Sequence, residues 1–244
     1  MPVWPINRLR KAGGQNPSAR FPDNVLYIYQ KQLEEADAIV LNKADLLSPA
    51  ELDGLRGMLA ARLPGTPVLS MSALSGEGID AWLDFVLQDR PAGGKITEVD
   101  YDVYAAGEAA LGWMNASAKL HAREETDWRD FAGGLLEAIR GELRRQSAEI
   151  AHLKLYLTAA DGHLVGNLTS NDGEVSLRGN LDRTPRDVAL LINARVHAQP
   201  EVLRGAVEKS LQAAIGDRIE LTITNVRSFF PGRPQPTYRY RGVV

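Results

Sequence analysis

Residues 38–47, Ala-Ile-Val-Leu-Asn-Lys-Ala-Asp-Leu-Leu, constrain the fold of this chain more than any other stretch. The first four are apolar with no polar alternation, which predicts a strand buried on both faces of a parallel sheet. Asn42, Lys43 and Asp45 follow at the carboxyl end of that strand, where open α/β sheets bind their ligands. The stretch therefore predicts an α/β fold with a ligand site at this end.

The carboxylate of Asp45 suits guanine. Guanine presents two adjacent donors, the ring N1–H and the exocyclic amine, and one carboxylate accepts both, whereas adenine would set a ring acceptor against it. Such a mismatch is worth about 2–5 kcal/mol in a desolvated site. Lys43 can lay its aliphatic stem along the base, and the amide of Asn42 can fix the loop. A buried strand followed by an ordinary polar turn is the alternative interpretation, because four residues also recur by chance.

Composition limits the remaining choices. With 244 residues and 44% hydrophobic content, the chain can form one large domain or two small ones. A net charge of −3 gives no basic face for nucleic acid, and the absence of cysteine rules out disulfides and thiolate metal sites in these residues. No apolar run reaches the roughly 18 residues of a membrane span, and no signal-peptide pattern is present. These features predict a cytoplasmic protein without membrane or nucleic-acid partners.

Around the first strand, the pattern predicts one half of a doubly wound fold. Ser48-Pro49-Ala50-Glu51 has the form of a capping box with proline at the first helical position. The predicted elements are a helix from Asp23, the strand at 38–41, a helix at 49–63, a strand at 67–72 and a helix at 79–87 whose residues Trp82, Phe85 and Val86 pack on the sheet.

A second loop, Ser72-Ala73-Leu74-Ser75-Gly76-Glu77-Gly78, follows the second strand. If the two strands are parallel neighbours, both loops face the same crevice. Small residues at Ser72 and Ala73 let the backbone approach a base, and their N–H groups could donate to the guanine carbonyl oxygen. By itself this segment is an ordinary turn. Its position after the second strand indicates that it belongs to the same ligand site as Asn42, Lys43 and Asp45.

Three segments resemble the CobW/HypB/UreG-type GTPases that help to mature metal cofactors, the CobW-like members most closely. They are residues 27–47 (Tyr-Ile-Tyr-Gln-Lys-Gln-Leu-Glu-Glu-Ala-Asp-Ala-Ile-Val-Leu-Asn-Lys-Ala-Asp-Leu-Leu), 72–78 (Ser-Ala-Leu-Ser-Gly-Glu-Gly) and, more loosely, 104–113 (Tyr-Ala-Ala-Gly-Glu-Ala-Ala-Leu-Gly-Trp). The resemblance implies that Asn42, Lys43 and Asp45 select guanine, and that Ser72, Ala73 and Leu74 form the second base-contacting loop. It implies GTP or GDP as the cofactor, bound through its guanine, and a client metalloprotein as a partner.

The sequence also departs from that family. A phosphate-binding loop needs Gly-x-x-x-x-Gly-Lys-Ser/Thr, and no stretch has this form. Gly93-Gly94-Lys95 comes nearest, but Ile96 stands where the hydroxyl belongs. The family's Cys-x-Cys-Cys metal motif and its Glu-x-x-Gly segment are also absent. The comparison implies a GTPase domain without its N-terminal half, completed by a longer native chain, a separate polypeptide or a dimer partner, which would also have to supply the Mg²⁺ site.

We therefore expect residues 1–90 to be the C-terminal part of a GTPase-like domain and 91–99 a linker. Residues 1–22 are predicted to be irregular with a short helix near 6–12. Residues 100–244 are predicted to be an α+β ferredoxin-like domain, because their pattern runs βαββαβ with extra strand material. The elements predicted for this domain are strands at 109–119, 152–159, 163–170, 175–177, 187–197 and 218–227, with Trp113 and Met114 in the core, and helices at 124–147 and 200–215.

Two functions remain open. The chain is either the guanine-recognising part of a CobW-like GTPase, inactive in hydrolysis by itself, or a non-catalytic protein-interaction module with a vestigial nucleotide site. A hydrolase of the acylphosphatase type is a weaker third hypothesis, because its phosphate-cradling loop with an arginine cannot be identified. No catalytic residue is predicted. The four histidines could bind a metal only if their strands were neighbours, and structural roles are the simpler interpretation; they are His121, His152, His163 and His197. The tail at 229–244 is either an arm packed on the sheet or a docking segment.

Overall fold

The computed structural model describes residues 23–88, 93–181, 183 and 185–235. These residues form two compact units, residues 23–104 and residues 105–233. The helix predicted near residues 6–12 and most of the predicted C-terminal arm lie outside the described residues.

The first unit contains a parallel pair of strands with helices between and around them. Its elements are α1 (Asp23–Glu35), β1 (Ile39–Leu41), a 3₁₀ turn (Ala44–Leu46), α2 (Pro49–Arg62), β2 (Val68–Ser70), α3 (Ile79–Leu87) and the first half of α4 (Tyr101–Glu108), whose residues from Ala105 on belong to the second unit. Ile39 lies opposite Val68 and Leu41 opposite Ser70 in a parallel register. The predicted α/β arrangement with neighbouring parallel strands is confirmed.

The capping box at the start of α2 forms as the sequence predicts. The Ser48 hydroxyl accepts a hydrogen bond from the backbone N–H of Glu51, and the Glu51 carboxylate accepts one from the N–H of Ser48. Pro49 occupies the first helical position. Because the cap fixes where α2 begins, it also fixes the length of the Asn42–Leu47 loop that precedes the helix.

The prediction that β1 is buried on both faces was wrong. Ile39 and Leu41 are buried at 8% and 4% exposure, but Val40 between them is 37% exposed. In the described residues this sheet has only two strands, and apolar packing covers only one of its faces. Val86 of α3, predicted to pack on the sheet, is 50% exposed.

The second unit is built on a six-stranded sheet in which all neighbours are antiparallel. Its elements are β3 (Gly112–Ala122), α5 (Trp128–Arg145), β4 (Glu149–Ala159), β5 (Gly162–Leu168), β6 (Ser176–Gly179), β7 (Asp187–His197), α6 (Pro200–Ile215) and β8 (Ile219–Phe229). The strand order across the sheet is β6-β5-β4-β7-β3-β8. Helix α5 packs on β4 and β5, and α6 packs on β3 and β8. Alternate residues of each strand face these helices and form the core.

Three expectations for residues 101–122 need correction. Residues 101–108 form helix α4, which was not predicted, and β3 spans 112–122 rather than 109–119. Met114 lies in the core at 1% exposure. Trp113 does not, because neighbouring strand residues point to opposite faces of the sheet. The Trp113 ring packs instead against the guanidinium of Arg195 at 3.9 Å.

Helix α5 is capped at its N-terminus by a charged residue, Asp127, whose ionisation makes the stability of the fold depend on pH. The Asp127 carboxylate accepts hydrogen bonds from the N–H groups of Arg129 and Asp130 and pairs with Arg183 at 2.6 Å. These donors, the Asp130 N–H foremost, lower the pKa of Asp127 below its ordinary value of 3.8. A lowered folded-state pKa stabilises the fold above the unfolded-state value, and this contribution is lost as the pH falls through the folded-state value.

We therefore expect the wild-type unfolding midpoint in urea to fall more steeply below pH 3.8 than that of Asp127→Asn. Asparagine still caps the helix but carries no charge at any pH. Urea titrations monitored by circular dichroism over this acidic range measure the difference. Parallel pH profiles of the two proteins would contradict the assignment.

In the part of the chain that the structure describes, no helix is both long and apolar enough to cross a membrane.

Candidate functional site

Two loops meet at the carboxyl ends of β1 and β2. The ladder continues past the strands, because Met71 N–H donates to Leu41 O at 2.9 Å and Ala44 N–H donates to Met71 O at 3.1 Å. These bonds hold the loop after β1 beside the loop after β2. The structure thus brings Asn42, Lys43 and Asp45 into the same region as the Ser72-Ala73-Leu74 segment.

The side chain of Asn42 joins the two loops. Its Oδ1 atom accepts hydrogen bonds from the N–H of Lys43 at 2.7 Å and from the N–H of Ala73 at 3.0 Å. With Oδ1 used in this way, the Nδ2 amide has no acceptor among the described residues and can donate to a ligand. Asn42 therefore has the loop-fixing position that its residue type predicts, and it spans both halves of the site.

Asp45 is held by a second bond between the loops. The Ser72 hydroxyl, which is fully buried, donates to Asp45 Oδ1 at 2.5 Å. The same hydroxyl accepts the N–H of Ser75 at 3.1 Å. Each carboxylate oxygen has two lone pairs, so both oxygens of the exposed Asp45 keep the capacity to accept from a ligand. The side chain is oriented and its accepting edge is accessible.

Lys43 lies between these two residues in a left-handed backbone conformation, with φ 65° and ψ 36°. This conformation costs a residue with a Cβ atom about 1–2 kcal/mol. The Lys43 side chain is exposed. The turn therefore places a long aliphatic stem and an ammonium group at the surface of the site.

The loop from Ser72 to Gly78 is held by its own backbone. Ser72 N–H donates to Glu77 O at 2.8 Å, Gly76 N–H donates to Ser72 O at 2.9 Å, and Glu77 N–H donates to Ser75 Oγ at 3.3 Å. Gly78 closes the loop and precedes α3 with φ 73°. Gly78 is a positioning residue that the sequence interpretation missed, although glycine is among the residues found at helix N-caps.

The N–H groups of Ser72 and Ala73 in the second loop have acceptors within the protein in the arrangement observed. Ser72 N–H and Ala73 N–H were predicted to donate to the guanine carbonyl oxygen, but they donate to Glu77 O and Asn42 Oδ1. In the described part of the loop, the N–H of Leu74 has no acceptor, and the Leu74 side chain is 65% exposed. A carbonyl at this point would use the Leu74 N–H or displace Asn42 from the Ala73 N–H.

The Gly93-Gly94-Lys95 segment does not point toward these loops. Gly93 N–H donates to Asp37 Oδ2 at 2.8 Å, and Lys95 Nζ donates to Ala36 O at 3.3 Å and to the Thr66 hydroxyl. These partners precede β1 and β2, at the amino ends of the strands. The segment therefore ties down the opposite end of the sheet from the candidate site.

The histidines lie apart on the sheet of the second unit. His121 pairs with Asp187 at 2.8 Å, His163 packs against Tyr156, and His197 lies opposite Glu149 at the far end of β7. Among the residues that the structure describes, no three side chains of histidine, aspartate or glutamate come together as a metal site.

Comparison with known proteins gives one significant match in sequence. The chain is 32% identical over 118 residues to the hydrogenase maturation factor HypB of Cupriavidus necator, covering 46% of this chain and 30% of that protein. No protein-family model matches. The chain thus spans less than a third of the HypB sequence.

Among solved structures, a Zn(II)-bound triple mutant of the YjiA GTPase aligns with this chain at 14% identity and a TM-score of 0.28. The alignment covers 76% of this chain and 55% of the YjiA chain. The Zn(II)-bound YjiA GTPase from E. coli aligns with 75% and 54%, at 15% identity and a TM-score of 0.25. Scores this low do not establish a common fold. The HypB match supports the resemblance to the CobW/HypB/UreG family of GTPases that the Asn-Lys-x-Asp and Ser-Ala-Leu segments carry.

Proposed function

We propose that this chain is the guanine-recognising portion of a CobW-like GTPase that takes part in metal or cofactor delivery in the cytoplasm. The observation that carries the proposal is the pair of bonds between the loops, Asn42 to Ala73 and Ser72 to Asp45. An ordinary polar turn has no need of a buried hydroxyl that orients an exposed carboxylate. A preorganised acceptor of this kind favours a ligand with two adjacent donors.

The proposed roles follow from the geometry. Asp45 accepts the guanine N1–H and the exocyclic amine, and Asn42 Nδ2 donates to the base. Lys43 covers the base plane with its stem, and the Leu74 N–H donates to the guanine carbonyl. Ser72 and Ala73 hold the acceptors in place. Phosphate and Mg²⁺ binding would come from residues outside this chain, since the Gly-x-x-x-x-Gly-Lys-Ser/Thr motif is absent from it.

The domain organisation of the proposal has residues 1–90 in the GTPase-like domain, 91–99 as a linker and 100–244 as a ferredoxin-like domain. The order β3-α5-β4-β7-α6-β8 supports the last assignment, because its four strands lie side by side as β8-β3-β7-β4. This is the arrangement of a βαββαβ sandwich, and β5 and β6 extend it at one edge. A client metalloprotein, a completing N-terminal half and a second copy of the chain are the proposed partners.

We expect GDP and GMP to bind in preference to ADP and AMP, and Asp45→Ala to abolish that preference. Asp45 is exposed, so we expect the loss at the low end of the mismatch range, about 30-fold in relative affinity. Isothermal titration calorimetry of the four nucleotides measures it. The matched control is Asp53→Ala, which removes another exposed carboxylate, on α2, whose nearest cation is Arg56 at 3.9 Å.

A substitution that exchanges specificity makes the test sharper. Asp45→Asn offers one acceptor and one donor in place of two acceptors, which complements xanthine, whose second carbonyl replaces the amine of guanine. Preference for XDP over GDP in this variant would support the proposed role of Asp45. Equal heats for guanine and adenine nucleotides with the wild-type chain, or no heat with either, would favour the non-catalytic interaction module instead.

A further inference from the structure

One face of the six-stranded sheet is not covered by α5 or α6. Helix α5 contacts β4, β5 and β6, helix α6 contacts β3 and β8, and both lie on the core side of the sheet. We define the open face as the strand residues whose side chains point away from these helices. Leu191 is 45% exposed on it, and Asn115, Lys119, Asn193 and Arg227 are also exposed.

The strand register arranges the open face in rows across the sheet. The middle row is apolar on three strands, with Val165, Tyr156 and Leu191 on β5, β4 and β7, and it continues with Ser117 and Asn225 on β3 and β8. A polar row two residues further along the strands, about 7 Å away, consists of Asn167, Lys154, Asn193, Asn115 and Arg227. The row on the other side consists of His163, Thr158, Ala189, Lys119 and Thr222.

The charges on these rows have one sign. Lys119, Lys154 and Arg227 lie in the two polar rows, and Arg178 lies beside Val165. None of these four has an ion-pair partner among the described residues, and no acidic residue occurs in the three rows. The acids of the face lie at its margins, where Asp187 pairs with His121 and Glu220 pairs with Arg123. Although the chain has a net charge of −3, its open face therefore carries several lysine and arginine side chains that are not neutralised by an ion pair among the described residues.

We infer that the open face binds an extended acidic segment of a partner protein, in which carboxylates alternate with apolar residues. The apolar residues of the middle row take the apolar side chains, and the cations on either side take the carboxylates. A single-stranded nucleic acid fits less well, because stacking needs free aromatic faces. Arg195 already lies over the Trp113 ring at 3.9 Å, and the Tyr156 ring packs against His163. The inference does not depend on the nucleotide site, which belongs to the other unit.

The probe for the test is a fluorescein-labelled synthetic peptide in which Glu alternates with Leu and Phe, titrated with the full chain by fluorescence anisotropy. The control peptide has Gln in place of every Glu. We expect the Glu peptide to bind more tightly, with an affinity that falls as salt is added, because exposed charge pairs are screened. Equal binding of the two peptides, or no binding of the Glu peptide, would overturn the inference.

Charge reversal locates the site. Lys119→Glu and Arg227→Glu, combined, should weaken binding of the Glu peptide about tenfold. Arg204→Glu is the matched control for each of the two reversals made singly, since it makes the same charge change as one of them on α6, on the other side of the sheet, and disrupts only a surface pair with Glu208. Circular dichroism melts establish that the variants fold. An equal loss with Arg204→Glu would argue against the open face, and tighter binding of oligothymidylate than of the Glu peptide would assign it to nucleic acid instead.

Discussion

Replacing Gly78 with alanine should unfold the second loop of the candidate site and destabilise the first unit by about 3 kcal/mol or more. The Cβ atom would lie 2.3 Å from the carbonyl oxygen of Ser70 and 3.1 Å from the Cα atom of Met71. Both are backbone atoms at the end of β2, so neither can move without disturbing the pairing with β1. The left-handed φ of 73° adds backbone strain to this overlap.

Gly76→Ala is the matched control, because Gly76 lies in the same loop with φ 87° but has no heavy atom within 4 Å of an added Cβ. Its expected cost is the backbone strain alone, about 1 kcal/mol. Hydrogen exchange read by mass spectrometry over residues 39–41 and 68–70 compares the two variants within this unit. A Gly78→Ala chain as well protected there as Gly76→Ala would show that the close packing on Ser70 has no energetic weight.

Replacing Trp128 with alanine should destabilise the second unit by about 3–5 kcal/mol, the usual range for removing a large buried ring. Trp128 is fully buried at the first turn of α5 and packs edge-on against Phe131, with 5.5 Å between ring centroids. Its indole N–H donates to Pro185 O at 2.8 Å, just before β7. Urea unfolding followed by far-ultraviolet circular dichroism measures the loss.

Trp128→Phe separates the two contributions of this side chain. It keeps a ring in the core and leaves the Pro185 carbonyl without its donor, which should cost about 1–3 kcal/mol. If Trp128→Phe were as destabilising as Trp128→Ala, the hydrogen bond rather than the buried ring would be the main source of stability. Stability unchanged in both variants would mean that α5 is not anchored through this residue.

The sequence predicts regular elements well where their periodicity is strong. The bounds of α3, α6 and β7 agree with the predicted 79–87, 200–215 and 187–197. In β7, buried apolar residues alternate with more exposed ones, and this period of two is the sequence pattern that predicts a strand. Helix α4 was missed because Tyr101–Glu108 is short and has no clear apolar period. Its start was marked by Asp100, whose carboxylate accepts hydrogen bonds from Asp102 and Val103.

For the candidate site, the sequence identifies the residues but not their connections. The Asn-Lys-x-Asp spacing selects Asn42, Lys43 and Asp45 from local chemistry alone. The partners of Asn42 and Asp45 lie 31 and 27 positions away at Ala73 and Ser72, and such pairings depend on how β1 and β2 align. The one-sided burial of β1 could not be predicted either, because it depends on what packs against each face of the sheet.

The backbone of Lys43 has a consequence for how this loop can change. Asparagine or glycine would adopt its left-handed conformation with less strain, but neither provides a long aliphatic stem beside Asp45. Stability and base recognition therefore place opposing demands on one position. A variant selected only for resistance to heat would be expected to lose its lysine, and with it the side chain that we propose to cover a bound base.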